Sequence, residues 1–464
     1  MTVGSKALVT KVNTCAATNI DDITAAQLSS IHNTLNRSSV DRVACCALLP
    51  TASANIGRMI YIENLCSFRY STGTTWSSDF DTTCTAFLEL YTWGRNKCGE
   101  LGGSTTVGYS TSLTSPGTVA GGGTNWCHVS MGASVGTGVK TDGTLWTWGS
   151  GSSGKLGQGN YSTGNSPGTT AGGGNTWTLS AGQGSVSGGL KSDGTLWMWG
   201  YNSSGLVGDG TSGFLNVRAS PITTAGGGTN WCFIDFNSGL GAIKTDGTLW
   251  TWGFNFTGEL GDGTTTNRSS PGTVAGEGTT WCRNSGSRMA LKTDGTLWTW
   301  GDNSCGQLGT GNLTNRSSPG TTAGGGTNWC LVGSAGVVTA AIKTDGTLWT
   351  WGENCWGGLG IGVSGGFNGR SSPVTVAGGG TNWNSVDPTR HFTLGLKTDG
   401  TLWSWGSNCF GALGIGTSTG ARSSPGTTIG GGTNWWKISA LNDGNNGYFT
   451  SAVIKRTIEG FTAV

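Results

Sequence analysis

The sequence predicts an all-β fold assembled from seven stacked repeats, and three observations predict it. A Trp-Gly pair recurs at Trp93, Trp148, Trp199, Trp252, Trp300, Trp351 and Trp405, at intervals of 55, 51, 53, 48, 51 and 54 residues. Such a unit has room for four strands of about five to six residues with their turns. The composition agrees: 87 glycines and 23 tryptophans against 11 % charged residues describe neither a disordered chain, which lacks aromatics, nor a helical one, which avoids glycine. Finally, Lys292-Thr-Asp-Gly-Thr-Leu-Trp-Thr-Trp-Gly301 recurs with little change and reads as strand, tight turn and strand. Its Asp-Gly pair supplies the backbone angles of a hairpin, and alternation sends Trp298 and Trp300 to one face, Leu297 and Thr299 to the other. We expect this to be the inner hairpin of each unit, lying between packed layers.

Residues 1–86 lie outside the repeat and form a small α+β segment by pattern. Asp21-Asp22 ahead of Ile23 predicts a capped helix, with Leu28, Ile31 and Leu35 on one stripe that packs on its own domain or on a partner. Arg58 to Ile62 and Cys66 to Tyr70 alternate as two short strands, with Gly73 in a later turn. A Leu-Pro lead-in at Leu49-Pro50, the Gly57-Arg-Met-Ile-Tyr61 strand, an aromatic strand and Gly73-Thr-Thr-Trp76 together resemble a segment met in tail-fibre and other virion proteins of bacteriophages. That resemblance covers about 30 residues and implies a structural protein of a tailed-phage particle, with Leu28, Ile31, Leu35, Tyr61 and Trp76 as candidate anchoring residues.

From residue 87 the repeat takes over. An Asn/Thr-Trp marker opens the following units at Trp126, Trp177, Trp231, Trp281, Trp329, Trp383 and Trp435, and a Ser-Pro marker recurs at Pro116, Pro167, Pro221, Pro271, Pro319, Pro373 and Pro425. Each unit therefore reads as a strand from Asn-Trp, a strand ending near Lys, the Asp-Gly turn, the Trp-x-Trp-Gly strand, a Gly-rich loop such as Gly258-Glu-Leu-Gly-Asp-Gly263, and an extended piece at Pro that suits a sheet edge. One unit cannot bury both faces, so neighbours must stack.

The pattern Asp-Gly-Thr-Leu-Trp-Thr-Trp-Gly-x-Asn-x-x-Gly-x-Leu-Gly is similar to the repeat of the regulator of chromosome condensation family. That resemblance implies a seven-bladed, RCC1-like β-propeller over 87–464; Trp-Gly-x-Asn argues against Kelch repeats, and WD40 repeats are shorter and end in Trp-Asp. The first unit lacks its opening strands and the last degrades after Lys455, so residues 434–456 are expected to complete the blade begun by 87–118. Closure removes two sheet edges.

Chemistry is harder to find. The six lysines and six aspartates around the Asp-Gly turns are turn residues, and the three histidines form no triad. We expect no enzyme, no metal and no cofactor. The net charge of +2 offers no reason to expect nucleic acid, and no run approaches the roughly 18 apolar residues of a membrane span. Thirteen cysteines, mostly at equivalent repeat positions, are expected to be small buried thiols. Two features invite binding. Arg218, Arg268, Arg316, Arg370 and Arg422 each stand three residues before their proline, either as an arc facing an acidic partner or glycan or as donors to their own loops. Trp356 and Phe410 lie in variable loops and are candidate contact aromatics.

The expected function is a non-enzymatic virion protein, assembled in the host cytoplasm, tail fibre, tail-associated or capsid-decorating. Residues 1–86 would anchor it to other virion proteins and the propeller would attach to a host surface protein or glycan, with a homo-oligomer as an option. The alternative is a cellular propeller of the chromosome-condensation type, an exchange factor, inhibitor or scaffold, binding a protein partner.

Overall fold

Asp294 shows how each blade is built. Its carboxylate accepts the Thr296 amide at 2.9 Å and hydroxyl at 2.6 Å, and that hydroxyl receives the Trp298 indole N–H at 2.9 Å. This chain from acid to hydroxyl to indole fastens the turn between Met289–Lys292 and Leu297–Gly301. It recurs at Asp142, Asp193, Asp246, Asp345 and Asp399. These hydrogen bonds hold the carboxyls of Asp193, Asp246, Asp294 and Asp345 below the ordinary range. Lys292 extends its ammonium between two rings, 4.5 Å from Trp298 and 4.8 Å from Trp281, a cation–π sandwich that every complete repeat reproduces.

The computed structural model describes residues 41–43, 59–62, 67–70 and 86–458, apart from 104–106, 109–110, 237–238, 277, 366–367 and 443–448. From residue 86 the described chain forms seven four-stranded antiparallel sheets, the predicted seven-bladed propeller. Blade 1 holds Trp126–Gly132, Val135–Lys140, Leu145–Gly149 and Gly164–Thr169. Blades 2 to 6 repeat it, opening at Trp177, Trp231, Trp281, Trp329 and Trp383. Blade 7 is composite: Trp435–Asn442 and Phe449–Ile458 pair with Ala86–Arg95, followed by Ser112–Thr118. The seam between Phe449–Ile458 and Ala86–Arg95 runs over nine paired positions, from Thr450 opposite Gly94 to Ile458 opposite Ala86. The corresponding pair in blade 5 has five.

One expectation is corrected. The repeated hairpin is the middle of each blade, joining the second and third strands; the inner strand is the one opened by Asn/Thr-Trp, since residues of all seven first strands line the central channel. The hairpin is conserved from blade to blade because it makes the contacts between blades. Each second tryptophan of Trp-x-Trp is buried and donates its indole N–H to a carbonyl of the preceding blade's Gly-rich loop: Trp148 to Glu100, Trp199 to Lys155, Trp252 to Leu206, Trp300 to Glu259, Trp351 to Gln307, Trp405 to Gly358 and Trp93 to Ala412. The second glycine of Gly-x-Leu-Gly lies beneath that indole. A Cβ on Gly261 would stand 2.6 Å from Trp300 Nε1, and its φ of +66° excludes most side chains as well. The core is thus a set of clusters that each span neighbouring blades, and within blade 1 Trp126 packs edge-on to Trp148 at 6.0 Å.

The seven prolines of the Ser-Pro marker fall within the outermost strands, where the missing N–H removes no ladder bond. The cysteines are less uniform than expected. Among the described ones, all free thiols, Cys127 and Cys232 are buried, Cys330 is exposed and the others are half-buried.

In the first segment, Met59–Ile62 pairs antiparallel with Ser67–Tyr70 and parallel with Asp41–Val43. Tyr61 lies on the first of these strands, opposite Phe68. The expected helix, Leu28, Ile31, Leu35 and Trp76, and the end of the chain at 460–464, lie outside the described residues.

Candidate binding face

Four antiparallel strands sort the connections of every blade onto two faces. The Asp-Gly turns and the loops leading to the next blade share one face; the turns between first and second strands and the Gly-rich loops between third and fourth share the other. The first face is regular in sequence and the second is not. Among the described residues nine large apolar side chains are well exposed, and eight of them, Tyr161, Phe214, Leu215, Phe254, Phe256, Leu313, Trp356 and Val363, stand on loops of the second face in blades 1 to 5. Ile429 alone belongs to the Asp-Gly face. Phe256 is 70 % exposed and lies 6.0 Å from Phe254, while Phe214 packs edge-on to Tyr201 at 6.1 Å and is 81 % exposed.

These loops are rigid enough to hold such side chains out. Asn255 accepts the Leu260 amide and donates to Thr264 and Thr266 carbonyls, closing its loop from within. Asn202, Asn303, Asn354 and Asn408 do the same work in their blades. All are buried, which accounts for the Asn of Trp-Gly-x-Asn.

Trp356, singled out from the sequence, is 48 % exposed and meets the His391 ring edge-on at 5.8 Å. Around it Arg390 approaches Glu353 at 3.8 Å, and Glu353 accepts from the Cys355 thiol and pushes it up to about 11. Burial, with Arg390 adding, holds His391 below its usual range. Phe410 is different. It sits at φ 56°, half-buried, packed 5.8 Å from Phe449 and under the Arg95 guanidinium at 4.7 Å.

The five arginines occupy equivalent places at the start of the outer strand, each opposite the glycine of Trp-Gly, as Arg316 is opposite Gly301. All are half-buried. Arg316 and Arg422 donate to the carbonyls of Thr321 and Thr427 at 3.2 and 3.0 Å, and Arg370 to those of Asn368 and Gly369. Arg218 and Arg268 pair with Asp209 and Asp262 of their own loops at 2.6 and 3.5 Å. The side chains thus lie along their own blades, within reach of the loop face.

Sequence reasoning missed Phe254, Phe256, Phe214 and Leu215. The signal was present: the residue after Trp-Gly is polar in five blades, Arg95, Ser150, Asp302, Glu353 and Ser407, and Tyr201 and Phe254 break that column in blades 2 and 3. Among the described residues no group of His, Cys, Asp or Glu is gathered in a way that could hold a metal.

Residues 289–307 and 390–412 match the regulator of chromosome condensation (RCC1) repeat in one form, and residues 246–283 match it in a second. The chain carries RCC1 repeats. The RCC1-like propeller is also found among solved structures. Prp20p of Saccharomyces cerevisiae, described with its binding to Gsp1p and histones, matches with a TM-score of 0.65 at 16 % identity, over 80 % of this chain and 91 % of its own. Yeast RCC1 (Prp20) bound to Kap60 gives 0.67 at 16 % identity, with 81 % and 90 % covered. Human WBSCR16 gives 0.66 at 16 % identity, with 79 % and 98 % covered. At that identity the likeness is one of fold.

Proposed function

We propose that this chain is a non-enzymatic binding propeller that engages a protein partner through its loop face. The observation that carries the reading is the concentration of exposed apolar side chains on that face, with Phe214, Leu215, Phe254 and Phe256 on neighbouring blades 2 and 3. Exposed aromatics of this kind anchor protein interfaces, and a stiff ring holds them at little entropic cost. Yeast Prp20p is described with its binding to Gsp1p and histones and in a complex with Kap60, and a like use, binding of a protein partner, is proposed here, closest to a cellular scaffold or regulator.

The test is affinity capture with the full chain and with Phe254→Ser/Phe256→Ser. The partner is expected on the wild type and lost from a variant that melts at the same temperature. Equal capture by both refutes the proposed face.

A second reading, a bacteriophage virion protein displaying the propeller toward a host protein or glycan, has a specific observation behind it: the 48–76 segment with its strands Met59–Ile62 and Ser67–Tyr70. Its attachment also suits display, because the chain enters the ring at Ala86 beside Ile458, on the Asp-Gly face and opposite the exposed aromatics. The comparisons match the propeller and lend this reading no support. In it, deleting residues 1–85 abolishes incorporation into particles; in the first, partner capture survives that deletion.

A further inference from the structure

The loops that carry the four exposed apolar residues of blades 2 and 3 hold little charge, and all of it is matched. Residues 202–216 of blade 2 and 254–267 of blade 3 contain three charged side chains, Asp209, Glu259 and Asp262. Asp209 pairs with Arg218 at 2.6 Å and Asp262 with Arg268 at 3.5 Å, each within its own blade, while Glu259 pairs with Arg288 of blade 4 at 3.3 Å. The exposed neighbours of the aromatics along these loops are neutral: Thr211, Ser212, Thr264, Thr265, Thr266 and Asn267. The patch is apolar at its centre and polar but uncharged at its rim, which is the anatomy of a protein interface.

Phe214 and Leu215 are 81 and 92 % exposed, Phe254 and Phe256 43 and 70 %, and together they present roughly 500 Å² of apolar surface. That is near the top of what a lone soluble chain leaves uncovered. Two such patches face to face remove about 1,000 Å² before the rim is counted, the level at which a specific interface becomes stable. The blade 2 loop is seated on blade 3, because the Gly210 amide donates to the Ser269 carbonyl at 2.9 Å and the Trp252 indole to that of Leu206 at 3.0 Å. Both pairs of apolar side chains therefore stand on one base. Blades 2 and 3 lie to one side of the ring, so a two-fold axis through the patch closes an assembly at two copies.

We propose that the patch on blades 2 and 3 pairs with the same patch of a second copy of this chain, giving a closed two-fold dimer. In a self-complementary contact each group meets its like or its like's neighbours. A face of one charge repels itself in that arrangement, whereas here every charged group of the two loops already has its opposite within the same molecule, and nothing opposes the approach. The rings are also ordered beforehand, Phe254 beside Phe256 at 6.0 Å and Phe214 edge-on to Tyr201 at 6.1 Å, so burying them costs little further freedom. The proposal rests on the loop face being a protein-binding face and names its partner.

Sedimentation velocity of the full chain from about 1 to 100 μM, at about 0.05 and about 1 M salt, tests it. The wild type is expected to pass from one copy to two over that range, and high salt is expected not to dissolve the dimer, since no ion pair joins the copies. Phe254→Ser/Phe256→Ser and, separately, Phe214→Ser/Leu215→Ser change only loop side chains; each is expected to melt at the wild-type temperature and to weaken self-association at least about tenfold. A wild type that stays monomeric at about 100 μM overturns the dimer. The loop-face reading is then decided by affinity capture, in which a protein other than this chain would be retained by the wild type and lost from the variant. A dimer left intact in either folded variant overturns the proposal, as do a dimer dissolved by salt and a mass that climbs past two copies.

Discussion

Replacing Trp300 by Phe measures what joins one blade to the next. Trp300 is fully buried, donates to the Glu259 carbonyl of the preceding blade at 3.0 Å and covers Gly261. Phenylalanine leaves a carbonyl without that donor, at about 1–3 kcal/mol. It also empties the space of about three ring atoms, worth about 2 kcal/mol at the usual value per buried carbon. The sum is about 3–5 kcal/mol, a large part of the stability of an ordinary domain. Trp298, two residues earlier, is the internal control. It is half-buried and bonds to Thr296 within its own turn, so Trp298→Phe is expected to cost about 1 kcal/mol, mainly from the weakened Lys292 contact. Urea unfolding followed by far-ultraviolet circular dichroism gives both numbers, provided the m-value is unchanged. If Trp298→Phe is as costly as Trp300→Phe, the reasoning that locates the ring's cohesion in the second tryptophan is wrong.

Further outcomes follow from other parts of the ring. Burial, reinforced by Asp235, raises the Asp387 carboxyl well above the ordinary range; its proton is bound more tightly in the folded state, so its contribution to stability is full below the unfolded pKa of about 4 and is lost as pH rises toward the folded value, at no more than about 1.4 kcal/mol per pH unit. Asp387→Asn is therefore expected to raise the melting temperature at pH 7 to 8 but not at pH 3, as thermal melts across pH will show. Ending the chain after Asn442 removes Phe449–Ile458 and strips Ala86–Arg95 of its nine-position partner; size-exclusion chromatography should find the product aggregated. Reversing Arg316, Arg370 and Arg422 to Glu removes half-buried donors to carbonyls, and a total loss of about 1–3 kcal/mol in urea melts is expected. A neutral result there would leave the arginines available to a partner.

The fold was legible because its determinants are local and repeated. An Asp-Gly turn, a Lys between tryptophans and a Gly-x-Leu-Gly loop each announce a backbone geometry, and their spacing counts the blades. What the spacing does not contain is which strand faces the axis. The repeated hairpin looked innermost since it varied least, yet the inner strands vary more: His128, Phe233, Arg283 and Lys437 occupy one ring position. Exposure was legible only where a column broke pattern. Trp356 and Phe410 stand in similar loops, and the difference between them lies in contacts from elsewhere, Phe449 and Arg95 closing over Phe410. No local pattern carries that information.

The composite blade also sets a clock for biosynthesis. Arg95 emerges from the ribosome 354 residues before Phe449 (449 − 95), and at about 5–20 residues per second the wait is roughly 20–70 s. Through that interval the strand Ala86–Arg95 has no second strand of its own blade, while blades 1 to 6 are synthesised in order. Closing so long a loop is slow, and an unpaired strand edge invites the wrong neighbour. A nascent ring therefore passes through an open-ended spiral whose two ends are sealed only once Phe449–Ile458 has been made, which is the stage at which two copies made side by side could exchange their closing strands.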